Sequence, residues 1–143
     1  MTLQEQIAAI IAEDREARIR THGTLRTLIQ GLEQMPQDAT LLITPINAYP
    51  TGLDSYRGYY ADLAIEYTAV RPDTKGLTVG ELLEKARNAV GATFTGYKGG
   101  EFVMDEDTPI WISPYGLSEN MRLESISLGK DGVVELNAII VED

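Results

Sequence analysis

The chain has no cysteine. That excludes a disulfide framework, a thiolate nucleophile and a sulfur-ligated zinc site. Histidine occurs once, as His22, so a serine–histidine relay has a single candidate base and no sequence neighbour to orient it. Long apolar runs are missing too. None approaches the roughly 20 residues of a bilayer-crossing helix. The opening, MTLQEQIAAIIAEDREARIR, lacks the basic start and small-residue cleavage site of a secretory signal. No membrane association is expected, and a cytoplasmic location is. Bases are scarce: 12 Lys and Arg stand against 22 Asp and Glu, for a formal net charge of −10. The deficit is uneven, because residues 101–143 hold ten acids and two bases. Such a surface repels a phosphate backbone, which makes a nucleic-acid polymer a poor partner. It suits solubility, or mimicry of nucleic acid toward a basic partner.

What is present fits one domain over residues 1–143, with a helical N-terminal part (1–35) and an α+β body (40–143). Thr2 and Glu5 have capping-box spacing, and Leu3, Ile7, Ile10 and Ile11 follow at helical intervals, predicting a helix over 3–20. His22 and Gly23 end it. Leu25, Leu28, Ile29 and Leu32 predict a second helix over 24–34, which would pair antiparallel with the first. Thr40 to Thr44 reads as a buried strand, and residues 49–60 as a loop. ADLAIEYTA alternates, with Leu63, Ile65 and Tyr67 on one face and Asp62, Glu66 and Thr68 on the other. Thr78 and Glu81 repeat the capping pattern before a helix that ends at Gly91. EFVM, PIWIS, MRLESISL and VVELNAIIVE read as strands, the last two joined by the hairpin loop GKDG. The final strand is apolar on both faces, so it is central or covered by a partner subunit. The expected class is α+β: an antiparallel-rich sheet with two N-terminal helices and one internal helix.

All ten aromatic residues lie between Tyr49 and Tyr115. Phe94, Phe102 and Trp111 sit on or near strands, where core packing is the ordinary expectation. Tyr49, Tyr56, Tyr59 and Tyr60 cluster in YPTGLDSYRGYY around Arg57, the one base between Ala39 and Val70. A guanidinium offers a rigid fork of donors to phosphate or carboxylate, and stacks on rings. Asp54, three residues earlier, is its alternative partner. Lys98 repeats the design in TGYKGG, beside Tyr97 and among glycines that permit close approach to the main chain. Neither stretch is a P-loop or a dinucleotide fingerprint. Aromatic faces stack on bases and the two cations bond phosphate, which is the equipment of a small anionic ligand site. The candidate ligand-binding residues are Arg57, Lys98, Tyr56, Tyr59, Tyr97 and Trp111. No catalytic residue, metal or cofactor is assigned. His22 is expected at the surface, at a helix end. The acids of DEDTP lack calcium-loop spacing and read as a solvated turn.

PTGLDSYRGYYADLAIEY, TVGELLEKARNAVGATFTGYKGGEFVM and DTPIWISPYG resemble, in that order, a family of small proteins encoded by bacteriophages and prophages. The shared elements are Ser-Tyr-Arg-Gly, Thr-Gly-Tyr-Lys-Gly-Gly and Thr-Pro-x-Trp, and the likeness runs from Pro50 to Gly116. The resemblance implies a counter-defence protein in the cytoplasm of an infected bacterium. By analogy with phage sponges, it would sequester a phosphorylated nucleotide messenger, such as a cyclic ADP-ribose isomer or a cyclic oligonucleotide, without turnover. The alternative is an acidic protein that binds and inhibits a host defence protein directly. A homo-oligomer is expected on either account, from the apolar stripe of the first helix and the two-sided last strand.

Overall fold

The computed structural model describes residues 2–114 and 117–141. Tyr115 and Gly116, at the end of the third shared element, and Glu142 of the last expected strand lie outside them. The elements run α1 (Leu3–Thr21), α2 (Leu25–Glu33), β1 (Leu41–Thr44), β2 (Ala48–Tyr56), β3 (Tyr59–Ala69), α3 (Val79–Ala89), β4 (Thr93–Thr95), β5 (Glu101–Val103), β6 (Ile110–Ile112), β7 (Met121–Leu128) and β8 (Val134–Ile140). The α+β class and the three helices are those expected.

The sheet is different. β1-β2-β3-β6-β7-β8 close into a barrel, while β4 and β5 form a separate two-stranded sheet. Four barrel contacts are antiparallel, but β3–β6 and β1–β8 are parallel. The antiparallel-rich sheet expected from strand spacing is therefore a mixed barrel. Closure is made by β8, which pairs along both edges, with β7 and with β1. Pairing Leu41–Thr44 with Val134–Asn137 satisfies two strand edges that an open sheet would leave bare.

Alternate residues of the barrel strands, including Leu41, Ile43, Leu63, Ile65, Ile110, Ile112, Val134 and Leu136, are buried in one core. That core also takes Leu25, Leu28 and Leu32 from α2 and Leu82, Leu83 and Ala86 from α3. The helix that partners α2 is α3, not α1. The expected α1–α2 pair fails because the leucine stripe of α2 matches that of α3, whereas α1 buries no residue fully. Caps set the helix starts. Thr24 with Thr27, and Thr78 with Glu81, form complete capping boxes; Thr2 accepts the Glu5 N–H at 3.1 Å.

Residues 49–60 are also not a loop. β2 and β3 run through them, with Tyr56 paired to Tyr59 and a two-residue turn at Arg57 and Gly58. Tyrosine favours the pleated sheet. Pro50, within the stretch expected to be a loop, is accommodated by a shift of register between Pro50 and Gly52. GATFTGYKGGEF is likewise a hairpin, β4–β5, turned by Gly99 and Gly100 at φ +92° and +84°.

Candidate ligand-binding site

The C-terminal half of α1 lies against the outer face of β3 and β6, held there by a carboxylate. Asp62 is wholly buried. It accepts Arg18 Nε at 2.7 Å on Oδ2 and Arg18 Nη2 at 3.1 Å on Oδ1, and Trp111 Nε1 donates to Oδ2 at 2.8 Å. Arg18 also reaches Asp14, one turn back, at 2.7 Å. Burial works against the Arg18 charge, but its bonds to Asp62 and the field of both carboxylates outweigh it and raise its pKa. Asp62 was expected on a polar outer face. That face is covered, and the sign of it in the sequence is Ala64, a small apolar residue two positions along.

An aromatic stack grows from this ion pair. The ring of Tyr56 lies 4.6 Å from Trp111 at 10°, and that of Tyr59 lies 5.8 Å from Trp111 at 20°. His22 meets Trp111 edge-on at 4.4 Å, and the Arg18 guanidinium sits 3.9 Å over Tyr59. His22 is thus half-buried and not at the surface as expected. Burial, with Arg122 and Arg18 nearby, lowers its pKa to about 4. Its Nδ1 is buried without a hydrogen-bond partner.

The six candidate residues divide into two groups. Tyr56 and Trp111 are core, only 1% and 3% exposed, and the Tyr56 hydroxyl accepts the Asn120 N–H at 3.2 Å. Neither ring offers a face to a ligand. Tyr59 is 39% exposed and lines a groove of about 320 Å³ with Tyr60, Ala61, Phe102, Ile11, Asp14 and Arg18. Arg57, Tyr97 and Lys98 are exposed at the two hairpin tips. The tips meet: Arg57 lies 4.3 Å over the Tyr97 ring, so both expected cations stand at one end of the molecule. The Asp54 carboxylate, the alternative partner of Arg57, accepts the Ser55 N–H at 2.7 Å. Behind the tips, Tyr60 meets Phe102 edge-on at 6.1 Å, tying β3 to β5.

Neither Arg57 nor Lys98 lines the groove; its cation is Arg18. Sequence reasoning missed Arg18, Tyr60 and Phe102 as groove residues. Arg18 was hidden in the charged run EDREAR, where no spacing separates a groove residue from a solvated one. The acids of DEDTP are engaged by arginines: Asp105 by Arg15 at 3.3 Å, Glu106 and Asp107 by Arg26 at 2.9 and 2.8 Å. Among the described residues, no group of three metal-ligating side chains is placed to hold an ion, and no helix is long and apolar enough to cross a membrane.

Comparison of the chain with protein-family models, with curated proteins and with solved structures gives no match. Fold and geometry therefore define the class: a small mixed β-barrel with an aromatic groove under two adjoining hairpin tips.

Proposed function

We propose that the protein binds a small phosphorylated nucleotide and holds it without turnover. The observation that carries the reading is the Arg57–Tyr97 stack, which joins the two tips beside the groove of Tyr59, Tyr60 and Phe102. The groove is at the small end of the range for ligand pockets, about 300–1,000 Å³, which favours one base or nucleoside over a polymer. Arg18 is balanced there by Asp14 and Asp62, so the groove suits an uncharged aromatic moiety. Phosphates belong outside it, at Arg57 and Lys98. Turnover is no part of the proposal, because a half-buried histidine with its pKa lowered to about 4 is a weak base near neutrality. The phage resemblance supplies the setting, capture of a messenger of host defence. Direct inhibition of a host protein through the acidic C-terminal third has less support, since Asp105, Glu106 and Asp107 already pair with Arg15 and Arg26.

The test is release by heat. Purified protein is incubated with a panel of cyclic and linear nucleotides, washed, denatured, and the supernatant analysed. An intact nucleotide is expected from the native chain, and loss of at least tenfold in uptake from Arg57→Ala and from Tyr59→Ala, a change of about 1.4 kcal/mol or more. Recovery of a chemically altered compound would show an enzyme. Recovery of nothing from any member of the panel would end the nucleotide reading.

A further inference from the structure

Among the described residues, two of the apolar surfaces that face solvent are complementary in shape, one convex and one concave. The convex surface is the first half of α1. Every residue from Thr2 to Asp14 is exposed, including Leu3 at 72%, Ile7 at 48%, Ile10 at 65% and Ile11 at 63%. Their spacing places them along one stripe. A free helix of about 12–15 residues or fewer is marginal in water, so this stripe calls for something to lie against. The concave surface is a groove of about 580 Å³ lined, among the described residues, by Pro45, Ile46, Met121, Ala138, Ile139 and Ile140, none of them charged. Ile140 in it is 67% exposed. The molecule's own α1 does not fill it. That helix is fixed elsewhere by Arg15 on Asp105 and Arg18 on Asp62, and lines the groove at Tyr59 instead.

We propose that the two surfaces belong together across a pair of molecules: the first half of α1 of one copy seats in the apolar groove of a second, and the second returns the same contact. Charge selects the partner. Two copies at −10 each repel unless they meet where charge is sparse, and residues 2–12 carry one charge, Glu5, while none of the described residues lining the groove is charged. A basic partner would find one acid, Glu5, among the described residues of this contact. Area selects the arrangement. A stable interface buries about 800 Å² on each partner, more than one short aliphatic stripe supplies. Reciprocal docking uses a helix and a groove from each copy, doubling the contact and closing it with two-fold symmetry.

The absence of cysteine makes the test clean. Ile7→Cys and Ile139→Cys proteins are prepared separately, mixed, and treated with a short bis-maleimide. The expected product is a covalent dimer of one Ile7→Cys chain with one Ile139→Cys chain. Light scattering should show a dimer for the native protein and a monomer for Ile10→Glu and for Ile140→Glu, both folded by circular dichroism. A native protein that is monomeric at every concentration overturns the proposal. So does a native dimer in which Ile7→Cys chains link to one another and not to Ile139→Cys, which would mean helix on helix, or one in which neither link forms.

Discussion

Asp62 shows how one side chain decides where a helix goes. Its carboxylate is out of water and takes three donors from two elements, so removing it strands the Arg18 charge and the indole N–H together. Asp62→Ala is expected to cost about 3–5 kcal/mol, read as a drop in the denaturant midpoint, and to loosen the end of α1. Arg18→Ala should cost a similar amount by stranding the carboxylate instead. His22 gives a pH dependence of definite sign. In the fold it titrates at about 4, against 6.5 for the free side chain. Between those values the unfolded chain holds more protons. Stability should therefore fall as pH drops from about 6.5 to about 4, and be undiminished by this group above that window. His22→Phe keeps a ring against Trp111 and cannot protonate. Its stability should vary less with pH in that interval, and an unchanged slope would show that other groups set it.

Among the elements, the β2–β3 hairpin carries the tightest local constraint. A Cβ on Gly58 would stand 2.5 Å from Cε2 of Tyr56, a ring already stacked on Trp111. Gly58→Ala should cost about 1–3 kcal/mol by overpacking, measured by urea unfolding, and should red-shift the emission of Trp111 as the stack loosens and admits water. This hairpin also marks the limit of what the sequence shows. α3 was legible from Thr78, Glu81 and its leucines, and β7 and β8 from their alternation around GKDG, because those signals are local. β2 was not, since Pro50 and Gly52 read as loop residues until a neighbouring strand supplies the bulge that admits them. The partner of α2 was hidden for a related reason: a stripe shows that a helix needs cover and not which element provides it. At the site, the sequence showed Arg57 and Lys98 each set among tyrosine and glycine; that the two tips meet was not legible, because it depends on how two hairpins far apart in the chain pack. Core packing was the ordinary expectation for Trp111 from its strand; the burial of Tyr56 was not legible, because it depends on the stack that forms under α1.

For the whole molecule, closure is made by a pairing between strands far apart in sequence, Leu41 with Val134. Such a long-range contact carries a loop-closure cost that must be met before the contact rewards it. Once formed it leaves the barrel without open edges, whereas β4–β5 remains a sheet of its own. Native-state hydrogen exchange should reveal the contrast. Amides of Phe94 and Phe102 should exchange through a local opening, well before those of Ile65, Ile112 and Leu136, which should wait for global unfolding. Equal protection in both groups would show that the small sheet and the barrel open as one. The stack of Arg57 on Tyr97 spans these two sheets, and on this prediction the smaller opens while the larger stays shut. Durability of the fold and residence time of whatever rests at the tips are then separate quantities, and a change in the small hairpin can alter the second while leaving the first where it was.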